Sequence, residues 1–452
     1  MAGETRALAE FAAALRYEDI PAPVIAITKA CVIDAFAVAL FGSSLPWSHS
    51  VEEFARHVGS NGASTILHPE LSRVSAPAAA LANGTFAHAF EFDNLRQPSV
   101  GVHPGSTATV AALAVAEECG ASGQDLLTAL VAGNECMLRT GLAAKQTSEL
   151  IGFHAPGLTG VFGSAIAASR IMRHDAQQTT MAIGIGGSLC SGLLAFAKAG
   201  NGGMVKRLHM GRAAEGGVTA AYLAARGFEG PDVLLEGKFG YLDVYARDGD
   251  PRLLTDGLGT RWESLNIWFK MFPCHVTAQA PVLAIQQLQR ECHFGPQDIT
   301  QIVIEASEKV LSHHADRAPR DVGTAQYSVP FSVALALYRD PADPQAFLDG
   351  PGRNPAILDL CKRIELRPYQ GPMTLGHNAS CRLEVSLADG RSVAIAKTDF
   401  DNDDAPESFE QRIEQKFLKL SARLSEDKRK TLLARLQSIE QQENVAHMLT
   451  FR

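Results

Sequence analysis

Apolar residues recur at three- and four-residue spacing through most of the first 260 positions, and small side chains dominate these stripes. Two examples are "PAPVIAITKACVIDAFAVALFGS", which opens with prolines suited to a first helical turn, and "GQDLLTALVAGNECMLRTGLAA". Such segments stop near Gly, Asn or His. The pattern predicts a compact bundle of buried helices, whose Ala and Gly residues allow the helix axes to approach closely.

The period changes after about residue 263. "DITQIVIEAS" alternates, "RIELRPY" is a short strand candidate, and "ASCRLEVSLADGRSVAIAKTDF" predicts a hairpin that turns at Asp389-Gly390. Helical segments lie between these strands, which is typical of an α+β domain with a mostly antiparallel sheet. The last 50 residues return to amphipathic helices, and Ser425 is a good N-cap for the second of them.

Composition and charge exclude several classes of protein. With 46% hydrophobic and 20% charged residues the chain is a globular protein, and 452 residues predict at least two domains. A net charge of −8 argues against a nucleic-acid partner. The N-terminal residues lack the apolar core of a signal peptide, and the longest apolar stretches, about a dozen residues interrupted by Asp34, are too short for a bilayer. We expect a cytoplasmic protein without a membrane partner.

The eight cysteines are scattered, without zinc-binding spacing. Cys274 in "FPCH" adjoins His275, which could activate the thiol, although a packed thiol is the favoured interpretation. Nucleotide-binding, HExxH, EF-hand and GxSxG motifs are absent from the sequence, and "GIGGSLCSG" lacks both the glycine order and the preceding strand of a dinucleotide loop.

Four punctuated segments carry His or Lys beside Gly or Pro: "FDNLRQPSVGVHPG", "GFHAPG", "GGMVKRLHMGRAAEGG" and "FKMFPCHVTAQAP". Each segment alone is weak evidence for a functional site, since a His at a helix end often caps backbone carbonyls. Together they supply many cationic or protonatable groups in a chain of negative net charge. These residues are His103, His154, Lys206, Arg207, His209, Arg212, Lys270 and His275.

If these groups converge, their cavity would attract a small di- or tricarboxylate. Removing a proton beside a carboxylate requires cationic donors for the enediolate-like charge that develops, and a His or Lys can act as the base. Asp93 could orient a His or hold a hydroxyl leaving group. The set suits proton abstraction, dehydration, decarboxylation or epimerisation and does not choose among them.

The punctuated segments, together with "ITKACVIDAFAVALFGS", "AQYSVPFSVALAL" and "LADGRSV", resemble the MmgE/PrpD family over almost the whole chain. That family contains 2-methylcitrate dehydratases, cis-aconitate decarboxylases and iminodisuccinate epimerase. The resemblance implies a mainly α fold with an α+β part: an all-helical domain of residues 1–263 and 403–452 and a smaller α+β domain of residues 264–402. It also implies a homodimer, an active-site cleft between the domains, and no metal or organic cofactor.

The resemblance also implies roles for particular residues. The implied catalytic residues are Asp93, His103, His154, Lys206, Lys270 and His275. Candidate substrate-binding residues are Arg96, Gln97, Arg207, His209 and Tyr327. Arg96 and Gln97 lie where many relatives have a Thr-His or Thr-Trp pair, and Phe331 stands where decarboxylase-like members have a Tyr. Tyr327, one helical turn earlier, could replace that phenol, although a core role is favoured.

We therefore expect a cofactor-independent lyase that acts on a small di- or tricarboxylate, of the 2-methylcitrate dehydratase or cis-aconitate decarboxylase type. One alternative is an epimerase or isomerase of a dicarboxylate such as iminodisuccinate. A further alternative is a non-catalytic carboxylate-binding protein.

Overall fold

The computed structural model describes residues 3–145, 147–197, 203–370, 380–397 and 408–450. Contacts between residues divide the chain into two compact units. Unit 1 comprises the described residues of Met1–Ala89, Asp93–Phe269 and Ser408–Arg452, and unit 2 those of Phe90–Phe92 and Lys270–Glu407. The predicted domain boundaries, after residues 263 and 402, stay a prediction, because a division by contacts does not test independent folding.

Unit 1 is built mainly from helices, as its hydrophobic pattern predicted. Up to residue 269 the helices are α1 (Glu4–Ala14), α2 (Ala22–Gly42), α3 (Pro46–Val58), α4 (Ala76–Ala87), α5 (Val110–Cys119), α6 (Gly123–Ala144), α7 (Thr147–Leu150), α8 (Ala155–Ile171), α9 (Ala176–Gly187), α10 (Val205–Ala224) and α11 (Tyr241–Tyr245). The two segments quoted above, "PAPVIAITK…" and "GQDLLTALV…", correspond to helices α2 and α6.

Helix α2 is a core helix that is longer than its uninterrupted apolar stretch. It has 21 residues and is long and apolar enough, by length and composition, to cross a membrane. Most of it is buried in unit 1, and Asp34 near its middle is ion-paired with Lys416. Burial of an apolar helix with a paired charge is what the interior of a globular protein requires.

Close approach between α4 and α10 explains the abundance of small residues. A Cβ atom on Gly211 of α10 would lie 2.2 Å from the carbonyl oxygen of Leu81 in α4. That separation is far below a normal contact and involves backbone, so a larger side chain would push the helices apart. The predicted structural use of glycine is confirmed at this crossing.

Two short antiparallel ladders in unit 1 were not predicted. Strand β1 (Ser64–Thr65) pairs with β2 (Arg73–Val74), and β3 (Leu95–Arg96) pairs with β4 (Ile267–Trp268). Strands of two residues are too short for an alternating pattern to reveal.

Unit 2 contains the predicted α+β elements. Its four-stranded sheet has the order β6-β5-β7-β8, in which β5 and β6 are parallel and the other pairs antiparallel. The predicted hairpin is confirmed as β7 and β8. The elements are α12 (Val276–Cys292), β5 (Ile299–Ala306), α13 (Glu308–His313), α14 (Val322–Tyr327), α15 (Val329–Tyr338), α16 (Pro344–Leu348), α17 (Pro355–Cys361), β6 (Ile364–Pro368), β7 (Cys381–Leu387) and β8 (Ser392–Lys397).

The chain returns to unit 1 through α18 (Phe409–Leu420) and α19 (Glu426–Gln437). Ser425 caps α19, as predicted, by accepting a hydrogen bond from the Lys428 amide. Helix α18 packs against α2, with Phe417 fully buried. The hydrophobic pattern did not predict whether this C-terminal segment packs on the N-terminal helices. The structure shows that it does, since both belong to unit 1.

Candidate active site

Asp93 is the centre of a buried hydrogen-bond network in unit 1. Its Oδ2 atom lies 2.9 Å from Nδ1 of His88, 2.9 Å from Nδ1 of His103 and 2.7 Å from Oγ of Ser106. Asp93 itself is fully buried. A carboxylate that accepts from three donors holds each of them in a fixed orientation.

The local sequence explains why these side chains meet. Helix α4 ends at Ala87, and the segment up to Pro104 cannot continue it because it contains two prolines and Gly101, whose φ is +68°. A π-helical turn, Gly105–Thr109, then leads into α5. Because the chain turns back here, His88 at the start of the segment and His103 and Ser106 at its end all lie next to Asp93.

The electrostatics of the network fix its protonation. Burial favours the neutral carboxyl, but the charges of His88 and His103 and the hydrogen bonds from their rings outweigh it and hold the pKa of Asp93 well below its usual range. Because an ionised carboxylate only accepts, both rings donate through Nδ1. The His88 ring is fully buried, whereas the side chain of His103 is 11% exposed. Of the two rings, His103 is therefore the one that is accessible from outside the network.

The ligand atoms of His88, Asp93 and His103 also lie within 4.8 Å of one another, a spacing that could hold a metal ion. Both ring nitrogens, however, are at hydrogen-bond distance from one carboxylate oxygen. The geometry is that of a hydrogen-bond network. The expected absence of a metal cofactor stays a prediction.

A second pair of imidazoles lies beside this network. His154 precedes α8 and His209 lies in α10, and their Nδ1 atoms are 3.0 Å apart. Only one proton fits between the two atoms, so one ring donates and the other accepts. The ring centres of His88 and His154 are 6.2 Å apart.

Burial and the charge of Lys206 keep this pair neutral. Lys206 lies one turn before His209 in α10 and is itself buried. Burial, followed by the charge of Lys206, lowers the pKa of His209 to about 4. The same two causes, in the same order, hold the pKa of His154 well below its usual range.

Two predicted substrate-binding residues in unit 1 have different surroundings. Arg96 is buried and donates to Glu263 at 2.8 Å and to the carbonyl of Pro98 at 2.7 Å, so a protein carboxylate neutralises its charge. Gln97 is also buried, but neither Nε2 nor Oε1 makes a hydrogen bond to any residue that the structure describes. A buried amide without a protein partner is suited to meet a ligand.

Two arginines of α10, Arg207 and Arg212, make contacts outside the histidine cluster. Arg207 donates to the carbonyl of Ala89 at 2.8 Å and stacks over Trp47 at 4.5 Å. Arg212 is exposed and ion-paired with Glu215, so it does not belong to the buried cluster.

The remaining predicted residues lie in unit 2. Lys270 is buried and forms an ion pair with Glu91 at 3.3 Å. His275 caps α12, and its ring stacks on His314 with the ring centres 4.1 Å apart. The Tyr327 ring centre is 5.0 Å from that of His275.

Tyr327 departs from the expectation in two ways. It is half-buried beside two imidazoles, not packed in the core, and it ends α14, whereas Phe331 lies in α15. Ser328 separates the two helices because its hydroxyl accepts a hydrogen bond from the Phe331 amide and caps α15. Tyr327 and Phe331 therefore do not belong to one continuous helix.

Cys274 agrees with the packed interpretation. It is fully buried, and burial raises the pKa of its thiol to about 12. A protonated, inaccessible thiol is not a nucleophile.

Sequence reasoning missed His88, Ser106 and His314. His88 stands in an Ala-rich helical pattern, where a single polar residue has no distinguishing period. Ser106 adjoins the Pro/Gly break, and a polar residue next to such a break was a usable signal.

Within unit 1 the structure brings together Asp93, His103, His154, Lys206 and His209. That all the cationic residues share one pocket stays a prediction.

The sequence was compared with models of known protein families, and two family domains match it. The MmgE/PrpD N-terminal domain matches residues 6–254 and the MmgE/PrpD C-terminal domain matches residues 272–441.

Similar curated proteins include a cis-aconitate decarboxylase-like protein, oryM, of Aspergillus oryzae, 27% identical over 86% of this chain and 84% of the relative. Cis-aconitate decarboxylase of Homo sapiens is 25% identical over 94% of this chain and 90% of its own. Cis-aconitate decarboxylase of Aspergillus terreus is 26% identical over 86% of this chain and 84% of its own. With both domains matched along most of its length, the chain belongs to the MmgE/PrpD family.

Proposed function

We propose that this protein is a lyase that removes carbon dioxide from cis-aconitate, or from a closely related tricarboxylate, with His103 as the group that moves the proton. The observation that carries the proposal is the 2.9 Å contact between His103 Nδ1 and the buried, ionised Asp93. The similarity to proteins named cis-aconitate decarboxylase supports the choice of substrate.

In the proposed reaction, the bond between the methylene carbon of cis-aconitate and its carboxylate breaks. Its electron pair forms a new double bond to the central carbon, and the former double bond shifts its pair onto the CH carbon. That carbon takes one proton. The products are carbon dioxide and 2-methylidenesuccinate, and one proton is consumed per turnover.

Negative charge develops on the carboxylate next to the carbon that accepts the proton, because the shifted electron pair is delocalised into it. Lys206, buried beside the His154–His209 pair, supplies a positive charge for this dienolate-like state. The protonated His103 ring donates through Nε2 while Asp93 stabilises the cationic ring through Nδ1. A positioned acid of this kind contributes about 10²- to 10⁴-fold in rate.

Gln97 is the residue that we assign to substrate binding. Its buried amide lacks a protein partner within the described part of the chain, so a substrate carboxylate that accepts from Nε2 would satisfy it. Leaving such a group unsatisfied costs about 1–3 kcal/mol, which favours occupation by a polar ligand.

Dehydration of a hydroxytricarboxylate such as 2-methylcitrate is the second candidate. One observation favours it: Asp93 Oδ1 is buried and has no hydrogen-bond partner among the described residues, so it could accept from a substrate hydroxyl. Proton exchange without loss of carbon dioxide or water would indicate epimerisation instead. Binding without any reaction would indicate a non-catalytic protein.

The proposal includes three further features expected from the sequence: turnover without an added cofactor, a homodimer and a cytoplasmic location. The first is proposed because the scheme needs one proton, which we assign to His103, and one stabilising positive charge, which we assign to Lys206.

The test is a panel of cis-aconitate, citrate, 2-methylcitrate and iminodisuccinate, each incubated with the protein in deuterated water and followed by proton NMR. The proposal predicts 2-methylidenesuccinate from cis-aconitate. Loss of water from 2-methylcitrate alone, or deuterium exchange alone, would replace it by the corresponding alternative. The same panel after treatment with a chelator tests cofactor independence.

A further inference from the structure

Asn94, the residue after Asp93, closes the segment that carries His103. Its side-chain Oδ1 accepts from the backbone amide of Gly105 at 2.9 Å. Its Nδ2 and its backbone amide both donate to Oδ2 of Asp34, at 2.8 and 3.1 Å. Asn94 is fully buried, so water does not compete for these bonds. One amide side chain therefore joins the two ends of the segment to the core helix α2.

Asp34 is held in turn by the returning C-terminal helix. Its Oδ1 accepts from Nζ of Lys416, in α18, at 2.6 Å, and both residues are buried. Burial raises the pKa of Asp34, while the charge and hydrogen bond of Lys416 and the hydrogen bond of Asn94 act in the opposite direction. Lys416 thus helps to keep Asp34 an acceptor on both oxygens. The result is a continuous chain of bonds, here called the clamp: Lys416, Asp34, Asn94 and the Gly105 amide.

Both ends of the clamp adjoin the catalytic network along the backbone. Asn94 follows Asp93, and Gly105 precedes Ser106, which donates to Asp93 at 2.7 Å. The bonds in the network are 2.7–2.9 Å long. A displacement of about 0.5 Å at either end would take them beyond the usual hydrogen-bond range.

We propose that Lys416, Asp34 and Asn94 are positioning residues, which hold Asp93 and Ser106 so that the carboxylate keeps His103 in its Nδ1-protonated form. The inference rests on the proposed function for its effect on turnover, but the protonated nitrogen of His103 is observable whether or not the protein turns over a substrate. The bonds of these three residues run to one another and to the Gly105 amide, next to Asp93 and Ser106 along the chain, so we infer that each acts through Asp93.

The first experiment compares Asn94→Ala with Asn83→Ala. Asn83 is a matched control because it is also a buried asparagine of unit 1 that bonds two backbone groups, the Leu67 amide and the Thr65 carbonyl, both away from the 93–106 segment. We expect both variants to be destabilised. Only Asn94→Ala should lose about 10- to 100-fold in kcat, at similar KM, as expected for a group that supports a catalytic residue.

The second measurement is the ¹⁵N spectrum of the histidine rings, recorded over a pH titration so that the form of His103 with one ring proton is observed directly. His103 is assigned by comparison with His103→Gln. We expect a proton on Nδ1 in the native protein and in Asn83→Ala, and a mixture of Nδ1 and Nε2 forms in Asn94→Ala. Nδ1 protonation retained in folded Asn94→Ala, or a kcat loss equal to that of Asn83→Ala, would overturn the proposal.

Lys416 gives a second route if Asn94→Ala does not fold. Lys416→Met leaves Asp34 buried without its cation, whereas the double variant Asp34→Asn/Lys416→Met removes both charges and keeps an acceptor oxygen for Asn94. We expect kcat to fall about 10-fold or more in the single variant and to recover in the double variant. No recovery, with a folded double variant, would contradict the proposal.

These outcomes separate the inference from the proposed function. A native protein without turnover on any compound in the panel refutes the function, and the ¹⁵N spectra still decide on the clamp. A native protein with turnover and unchanged ¹⁵N spectra in folded Asn94→Ala refutes the clamp alone.

Discussion

Asp93→Asn removes the negative charge at the centre of the proposed catalytic network while keeping the shape of the side chain. Two unit charges 2.9 Å apart, the separation of His103 Nδ1 and Asp93 Oδ2, attract by about 6 kcal/mol at an effective dielectric constant of about 20. The carboxylate also serves His88, so we assign roughly half of this energy, about 3 kcal/mol, to His103.

Because the proposed donor is the cationic ring, losing this attraction lowers the fraction of the protein in the proton-donating form. At about 1.4 kcal/mol for each factor of ten, kcat falls by about 100-fold. An asparagine can also turn its NH₂ group towards Nδ1 and select the wrong tautomer. At a comparable Asp–His pair in serine proteases the same change costs about 10⁴-fold. We therefore expect a decrease in kcat of about 10²- to 10⁴-fold, with little change in KM.

The assay follows carbon dioxide release and 2-methylidenesuccinate formation from cis-aconitate, with a thermal melt to show that the variant folds. Asp175→Asn is the control because Asp175 caps α9 in an exposed position, where asparagine caps as well. Asp175→Asn should keep native kcat. A folded Asp93→Asn protein with more than about a third of the native kcat would refute the assigned role of Asp93.

Three further predictions concern stability and other residues. The pKa values of His154 and His209 are both lowered, that of His209 to about 4, so the unfolded chain takes up protons near pH 6.5 that the folded protein does not. Stability should therefore fall as the pH is lowered from about 6.5 towards 4. The melting temperature between pH 7.5 and 4.5 checks this, and His209→Gln should show a shallower decline; a melting temperature that rises on acidification would contradict it. Gln97→Leu should raise KM for the tricarboxylate about 10-fold or more with a smaller effect on kcat, measured by steady-state kinetics, since it removes only a binding group. Cys274→Ala should retain at least about half of the native kcat/KM, because its thiol is buried and protonated, and loss of activity in a folded variant would restore the nucleophile hypothesis.

Elements with a strong period were predictable from the sequence. The apolar run from Ala22 to Gly42 is a buried helix, and the alternation on both sides of Asp389-Gly390 is the hairpin of β7 and β8. In both places a local pattern and a local stop signal agree, so tertiary contacts were not needed to predict the element.

Contacts between non-periodic residues were not predictable in the same way. No role was predicted for Asn94, yet its bonds to Asp34 and Gly105 shape the segment. Asp34 was read only as an interruption of an apolar stretch, although Lys416 pairs with it across 382 residues of sequence. Neither pairing follows from spacing, because each depends on which helices pack together.

The candidate site was predicted in part for a similar reason. Asp93 and His103 were predicted as site residues because they are polar residues in a Pro/Gly-rich break, and in the structure they are hydrogen-bonded to each other. His88 contributes the second ring to the same oxygen but lies at the end of a helix of small residues, without a signal of its own.

The most direct measurement of the central claim is the turnover of cis-aconitate in deuterated water by the native protein and by His103→Gln. We predict that the native protein releases carbon dioxide and forms 2-methylidenesuccinate with one deuterium on the carbon that accepted the proton, and that a folded His103→Gln protein is slower by about 10²- to 10⁴-fold. A native protein that leaves cis-aconitate unchanged, or a His103→Gln variant that works at the native rate, would contradict the account.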